Sequence, residues 1–187
     1  MIEDLQRALD TLHVGGIILY PTDTVWGIGC DATNSNAVEK VYKIKQRTDT
    51  KSMLVLVEDF FRLKNYVEQI PENINELLRR ETKPLTIIYP GAKNLALNLI
   101  AEDGSIGIRI VKDEFCFHLI RSFKKPIVST SANFSGNPAP GNFSEINPEI
   151  IKSVDYVVRY RQKDSSEGKP SRIIKVGTKG EIEVIRE

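Results

Sequence analysis

Ile2, Leu5, Leu9 and Leu12 recur at near-helical spacing, which predicts an opening helix with one apolar face. Gly15-Gly16 is placed to end it. Ile17-Ile18-Leu19-Tyr20 follows as an unbroken apolar run, the pattern of a strand buried on both faces. Pro21 stops that strand and opens a polar turn, Thr22-Asp23-Thr24. Asn34 and Ser35 are good N-cap residues ahead of a helical stripe of Ala37, Val38, Val41 and Tyr42, which runs out into Lys43, Lys45 and Arg47. Residues 53–57 read as a buried strand. Pro71 suits a first helical turn, with Ile74, Leu77 and Leu78 facing inward. Residues 85–89 and 105–110 read as strands, the first stopped by Pro90-Gly91. Phe115, Leu119 and Ile120 mark a helix leading to a strand at 127–130.

A polar loop with several glycines and prolines occupies residues 131–143. A short helix at 145–152 and closing strands at 155–160, 172–176 and 181–185 complete the pattern. Residues 163–169 form a charged loop containing glycine, the segment best suited to act as a mobile flap. Strands and helices mix without strict alternation. The expected fold is therefore α/β, a mixed parallel and antiparallel sheet with helices packed on it.

The 187 residues fit one domain, read as 1–187, and a 41% apolar share is enough for a real core. A charged share of 27% does not suggest disorder, and a net charge of +1 argues against a polyelectrolyte partner of nucleic acid. Any basic site has to come from local clustering. Cys30 and Cys116 lack metal-type spacing and read as buried thiols of a reducing compartment, with a disulfide as the alternative. The amphipathic N-terminus is no signal peptide, and no apolar run approaches the roughly 18 residues of a membrane span. No membrane association and a cytoplasmic location are expected.

Four polar segments sit at predicted strand ends. Thr22, Asp23 and Thr24 crowd a turn, which an Asx-type turn also explains. Lys45, Arg47 and Lys51 form a cationic run, either a solvated helix end or a phosphate clamp. Ser129-Thr130-Ser131-Ala132-Asn133-Phe134-Ser135-Gly136 sets hydroxyls, an amide and a glycine directly behind an apolar strand, a composition able to point donors at an anion. Pro170-Ser171-Arg172 closes the charged loop, and Arg186 ends the last strand. The chain has neither a P-loop nor a dinucleotide fingerprint, and His13 and His118 have no suggestive partner. Hydroxyls, amides and fixed cations suit binding and charge stabilisation better than covalent catalysis.

In these segments the chain resembles the YrdC family of threonylcarbamoyl-AMP synthases. The resemblance rests on Pro21-Thr22-Asp23-Thr24 with Gly27 and Gly29, Lys45-x-Arg47 with Lys51, Pro84-Leu85-Thr86, Gly107-Ile108-Arg109, Ser129-Thr130-Ser131-Ala132-Asn133 with Ser135-Gly136, Ser171, and Ile185-Arg186. It implies an open, twisted sheet with a concave substrate cleft. It implies formation of threonylcarbamoyl-AMP and pyrophosphate from L-threonine, bicarbonate and ATP, with magnesium accompanying ATP. The product would pass to a tRNA threonylcarbamoyl transferase complex that modifies the adenosine beside the anticodon. Thr24, Arg109 and Ser171 match positions near threonine. Arg47, Lys51, Ser105, Ser131, Asn133 and Arg186 match positions near the nucleotide, and Lys45, Arg47 and Lys51 are the expected catalytic cations. Trp26, Ser52, Val111 and Arg172 depart from the family's usual tyrosine, proline, proline and threonine. Ending at Arg186-Glu187, the chain is similar to the short, single-domain members. Two rival readings stay open at this stage: an RNA-binding module, including weak direct RNA binding, and a paralogue with another substrate.

Overall fold

The computed structural model describes residues 1–46 and 53–187. Local chemistry sets the helices. α1 (Ile2–His13) turns Ala8 and Leu12 inward and gives way to Gly15 at φ +73°, a left-handed conformation that favours glycine. α2 (Ser35–Ile44) starts where the Asn34 side chain accepts from the Asn36 and Ala37 N–H groups. α3 (Phe60–Leu63) is capped by Asp59, and α4 (Glu72–Arg80) follows Pro71. α5 (Glu114–Phe123) is capped by Asp113 and closes on Lys124 in the left-handed region. α6 (Pro148–Ser153) is capped by Asn147, with proline in its first turn.

The strands are β1 (Ile18–Tyr20), β2 (Gly27–Gly29), β3 (Leu54–Val57), β4 (Leu85–Tyr89), β5 (Ile106–Ile110), β6 (Ile127–Ser131), β7 (Tyr156–Val157), β8 (Arg172–Val176) and β9 (Ile182–Arg186). Among the described residues they form one sheet in the order β7-β1-β2-β6-β3-β5-β4-β8-β9. β1 with β7, β3 with β5 and β4 with β8 run parallel, and the other neighbours run antiparallel. The mixed sheet expected from the sequence is present.

Side-chain alternation splits the core into two layers. Val55 and Val57 of β3 join Leu19, Ile28, Val38, Val41 and Ile87 on the face that carries α2. Leu56 points the other way, to Tyr20, Ile127 and the apolar sides of α1 and α5, including Leu12, Phe115 and Leu119. Leu54, Thr86, Ile88 and Gly107 continue this second face but line a cavity instead of a helix. The site lies where the α1–α5 layer stops.

Three expectations need correction. The polar segment after β1 contains a strand of its own, β2. The helix expected at 145–152 divides into a single 3-10 turn, Phe143–Glu145, and α6, because Asn147 and Pro148 restart the helix. The strand expected at 155–160 shrinks to β7, because the Arg159 and Tyr160 N–H groups donate to the Asp4 carboxylate at 2.8 and 3.1 Å instead of to a strand. Cys30 and Cys116 are buried and unpaired, and burial raises both thiols above the usual range. Among the described residues no helix is long and apolar enough to cross a membrane.

Candidate active site

A cavity of about 280 Å³ sits on the second face of the sheet, over β2, β3, β4, β5 and β6. Its floor is kept low by glycine: a Cβ on Gly27 would come within 3.0 Å of the Ser129 Oγ, and one on Gly107 would meet the Thr86 methyl at 3.5 Å. A wider cavity of about 1210 Å³ shares Thr24, Val25, Pro170 and Arg186 with it. Together they offer room for more than one small molecule.

The charged groups in the smaller cavity's wall are Arg109 and Arg186. Arg109 is 2% exposed, and its Nη2 lies 3.1 Å from Asp23 Oδ1. The Lys112 N–H donates to the other Asp23 oxygen at 3.2 Å. Arg109 Nε is buried and has no hydrogen-bond partner among the described residues. Arg186 donates from Nε and Nη2 to the Ser171 carbonyl at 3.0 and 2.7 Å. Burial, and then the charge of nearby Arg109, lower its pKa below the usual arginine value. Asp23 balances Arg109, whereas Arg186 is bonded to a neutral carbonyl, so among the described residues this wall carries one guanidinium with no carboxylate paired to it and suits a single carboxylate ligand.

Hydroxyls surround these cations. Thr86 sits directly across the β4–β5 ladder from Arg109. Its Oγ1 lies 2.8 Å from the Ser171 Oγ, with both residues at least 97% buried. Thr22 and Thr24 form a second pair, their hydroxyl oxygens 2.9 Å apart. Thr24 and Ser171 were expected at the site from sequence, whereas Thr86 and Ser129 were named only within longer motifs and given no role. Thr86 was also signalled as the one polar residue of an otherwise apolar strand, LTIIY, apart from its closing tyrosine.

The other expected residues divide. Ser131 lines the cavity. Asn133 lies in the loop behind it, where its amide donates to the Phe134 and Asn137 carbonyls. Lys45 is 3% exposed, and its ammonium donates to the Ser131 carbonyl at 2.6 Å and to Asn133 Oδ1 at 3.2 Å. The geometry thus gives Lys45 a part in holding the loop, in addition to the phosphate role expected of it. Ser105 precedes β5 and donates to Asp103 Oδ1 at 2.5 Å, outside the cavity wall. Arg47 and Lys51 lie outside the described residues.

The charged loop expected to act as a flap is seated on the site. Residues 166–170 line the wider cavity. The Gly168 N–H donates to the Gly141 carbonyl at 2.8 Å. A Cβ at Gly168 would collide with the Thr24 carbonyl oxygen, so a side chain cannot be accommodated in this seat. Trp26, where the family usually has tyrosine, packs on Phe143 with ring centroids 4.8 Å apart.

Comparison with known proteins bears on this arrangement. The family model for Sua5, YciO and YrdC, described as telomere recombination, matches residues 10–187. The threonylcarbamoyl-AMP synthase of Vibrio cholerae is 31% identical over 176 residues, covering 92% of this chain and 93% of its own length. That of Pseudoalteromonas translucida is 32% identical over 157 residues, covering 82% and 84%. These relatives are enzymes named for an adenylate product. Among solved structures, Escherichia coli YciO superimposes with a TM-score of 0.84 at 25% identity, covering all of this chain and 90% of YciO. Sua5 of P. abyssi, solved in complex with L-threonine, gives 0.83 at 24% identity over 92% of this chain, which spans half the Sua5 length. With most of its length matched by the family model, the chain belongs to the Sua5/YciO/YrdC family.

Proposed function

We propose that this protein is a transferase that forms threonylcarbamoyl-AMP and pyrophosphate from L-threonine, bicarbonate and ATP. The observation that carries the reading is the small cavity, walled by Arg109 and Arg186, beside the Ser131 loop. Arg109 and Arg186 offer a carboxylate a charged, hydrogen-bonding wall, and Thr24 and Ser171 add hydroxyls at the scale of one amino acid. The names of the bacterial relatives support threonine as that amino acid.

The threonine nitrogen, once deprotonated, adds to the bicarbonate carbon with loss of water and gives a carbamate. A carbamate oxygen then attacks the α-phosphorus of ATP, and pyrophosphate leaves with the electrons of the broken P–O bond. No protein nucleophile is needed. The protein's contribution is to gather the reactants, worth roughly 7–11 kcal/mol in favourable cases, and to offset charge on the phosphates. Lys45, Arg47 and Lys51 are the cations proposed for the phosphates, with Ser131, Asn133 and Ser105 toward the nucleotide and Lys45 also holding the loop. Magnesium would enter on the ATP phosphates as part of the substrate. The flap at 163–169 limits water, which matters because a carbamate readily loses carbon dioxide. We further read the protein as cytoplasmic, its product passing to a tRNA-modifying transferase complex.

Purified protein given ATP, bicarbonate, magnesium and L-threonine should release pyrophosphate only when the amino acid is present. Release that ignores threonine would overturn the substrate assignment. A panel of other amino acids in the same assay tests the paralogue reading. Arg47→Ala and Lys51→Ala should each lower the rate, and full activity in both would remove the phosphate role.

A further inference from the structure

We infer that Thr22 is a positioning residue that locks the Thr24 hydroxyl as a hydrogen-bond acceptor toward the cavity, where it receives an N–H of the substrate amine. This rests on the proposed amino-acid substrate and adds the functional group that Thr24 meets.

The assignment follows from counting protons. A hydroxyl has one hydrogen to donate and two lone pairs to accept with. The Thr22 Oγ1 donates to the Val25 carbonyl at 2.7 Å, an oxygen that can only accept. The Thr24 N–H donates into the same Thr22 oxygen at 3.0 Å. The remaining contact, 2.9 Å between the two hydroxyl oxygens, is therefore made by the Thr24 hydrogen pointing at Thr22. Thr22 then makes one donated and two accepted bonds, and its capacity is full. It is 4% exposed, so these partners are not exchanged for water.

Among the described residues, Thr24 is left with its hydrogen committed and its lone pairs open. It is half-buried and lines both cavities. An acceptor on this wall complements the other, where Arg109 and Arg186 only donate. An α-amino acid presents the same pattern in reverse, with an accepting carboxylate at one end and a donating amine at the other. The arrangement thus sets the orientation in which the ligand lies, and it selects against a ligand of the same shape lacking the amine.

The test compares two ligands and three variants by calorimetric titration of the whole protein. The ligands are L-threonine and 3-hydroxybutyrate, which keeps the carboxylate and side-chain hydroxyl but has no amine. Thr22→Val keeps the shape of the side chain and frees the Thr24 hydroxyl to rotate. It should raise the Kd for L-threonine about tenfold, the loss of one good hydrogen bond, and change that for 3-hydroxybutyrate less than about twofold. Thr22→Ser, which keeps the oxygen, should restore threonine binding. Thr24→Val, at a half-exposed position where folding is not at risk, should reproduce the selective loss if Thr22→Val does not fold. Equal weakening of both ligands, or of neither, overturns the inference, as does failure of Thr22→Ser to rescue a folded protein. Wild-type protein that binds no L-threonine would instead overturn the substrate reading itself, and the Thr22 assignment with it.

Discussion

Arg109 and Asp23 meet as a buried ion pair 3.1 Å apart, with side chains 3% and 8% exposed. Removing one partner of such a pair strands the other charge, at a typical cost of about 3–5 kcal/mol. Asp23→Ala should destabilise the protein by that order in urea unfolding. L-Threonine should stabilise the variant by at least as much as it does the wild type, because its carboxylate supplies a replacement counter-charge for Arg109. A variant as stable as the wild type would show that the pair is not maintained in solution.

Lys45 joins the end of α2 to the loop behind β6. Its bonds to the Ser131 carbonyl and Asn133 Oδ1 involve a charged donor, for which each bond contributes about 1.5–3 kcal/mol. Lys45→Met should preserve the buried stem and lose at least one such increment in unfolding free energy. It should also raise the KM for ATP more than that for threonine, if the loop serves the nucleotide as proposed. Equal changes in both constants would argue against a local effect.

Asp4 ties α1 to the chain beyond β7. Burial raises its pKa, but the Tyr156 hydroxyl, the Arg159 N–H, the N-terminal charge and the Tyr160 N–H together hold it below the usual carboxylate value. The folded pKa is depressed, so the stabilisation is fully present above the unfolded value of about 3.9 and is lost as pH falls through the lower folded value. Asp4→Ala should cost about 1.5–3 kcal/mol at pH 7. The stability difference from wild type should narrow as the pH is taken below about 4. Urea titrations at several pH values would measure this, and a difference that does not narrow would exclude Asp4 as the titrating group.

Gly168 allows the flap to rest on the turn at Thr24. Gly168→Ala should leave the thermal unfolding midpoint nearly unchanged while lowering threonine-dependent pyrophosphate release by about tenfold to a hundredfold, the range expected when a reacting group is displaced. Ser165→Ala, in the same loop, should retain wild-type rates. Comparable activity in both variants would show that the seat is not used in turnover.

α2 and α5 were legible because an apolar stripe stands behind a capping residue, Asn34 and Asp113, and α1 and α4 from their apolar stripes alone, whereas the single turn of α3 is too short to show one. The long apolar strands were legible for the same reason of pattern. β2 was not, since Gly-Ile-Gly has low strand propensity and follows a turn motif. Its glycines answer to tertiary demands, because a Cβ at Gly29 would run into the Tyr20 ring and the Val128 carbonyl. Thr24, Arg109 and Ser171 were nameable as separate motifs, but the sequence could not show that Asp23 pairs with Arg109 or that Thr86 reaches Ser171. Those partnerships depend on strand order and register, the members of the first pair standing 86 positions apart and those of the second 85.

At Gly168 the flap lies against main-chain atoms of the turn, the Thr24 carbonyl and the Val25 Cα. Closure and substrate choice are thereby separated at a single position. The side chain at 24 can be exchanged to change how the substrate amine is held while the main-chain surface beside residue 168 stays in place, whereas position 168 has no such freedom. For an engineer, Thr24 is the variable site and Gly168 the fixed one.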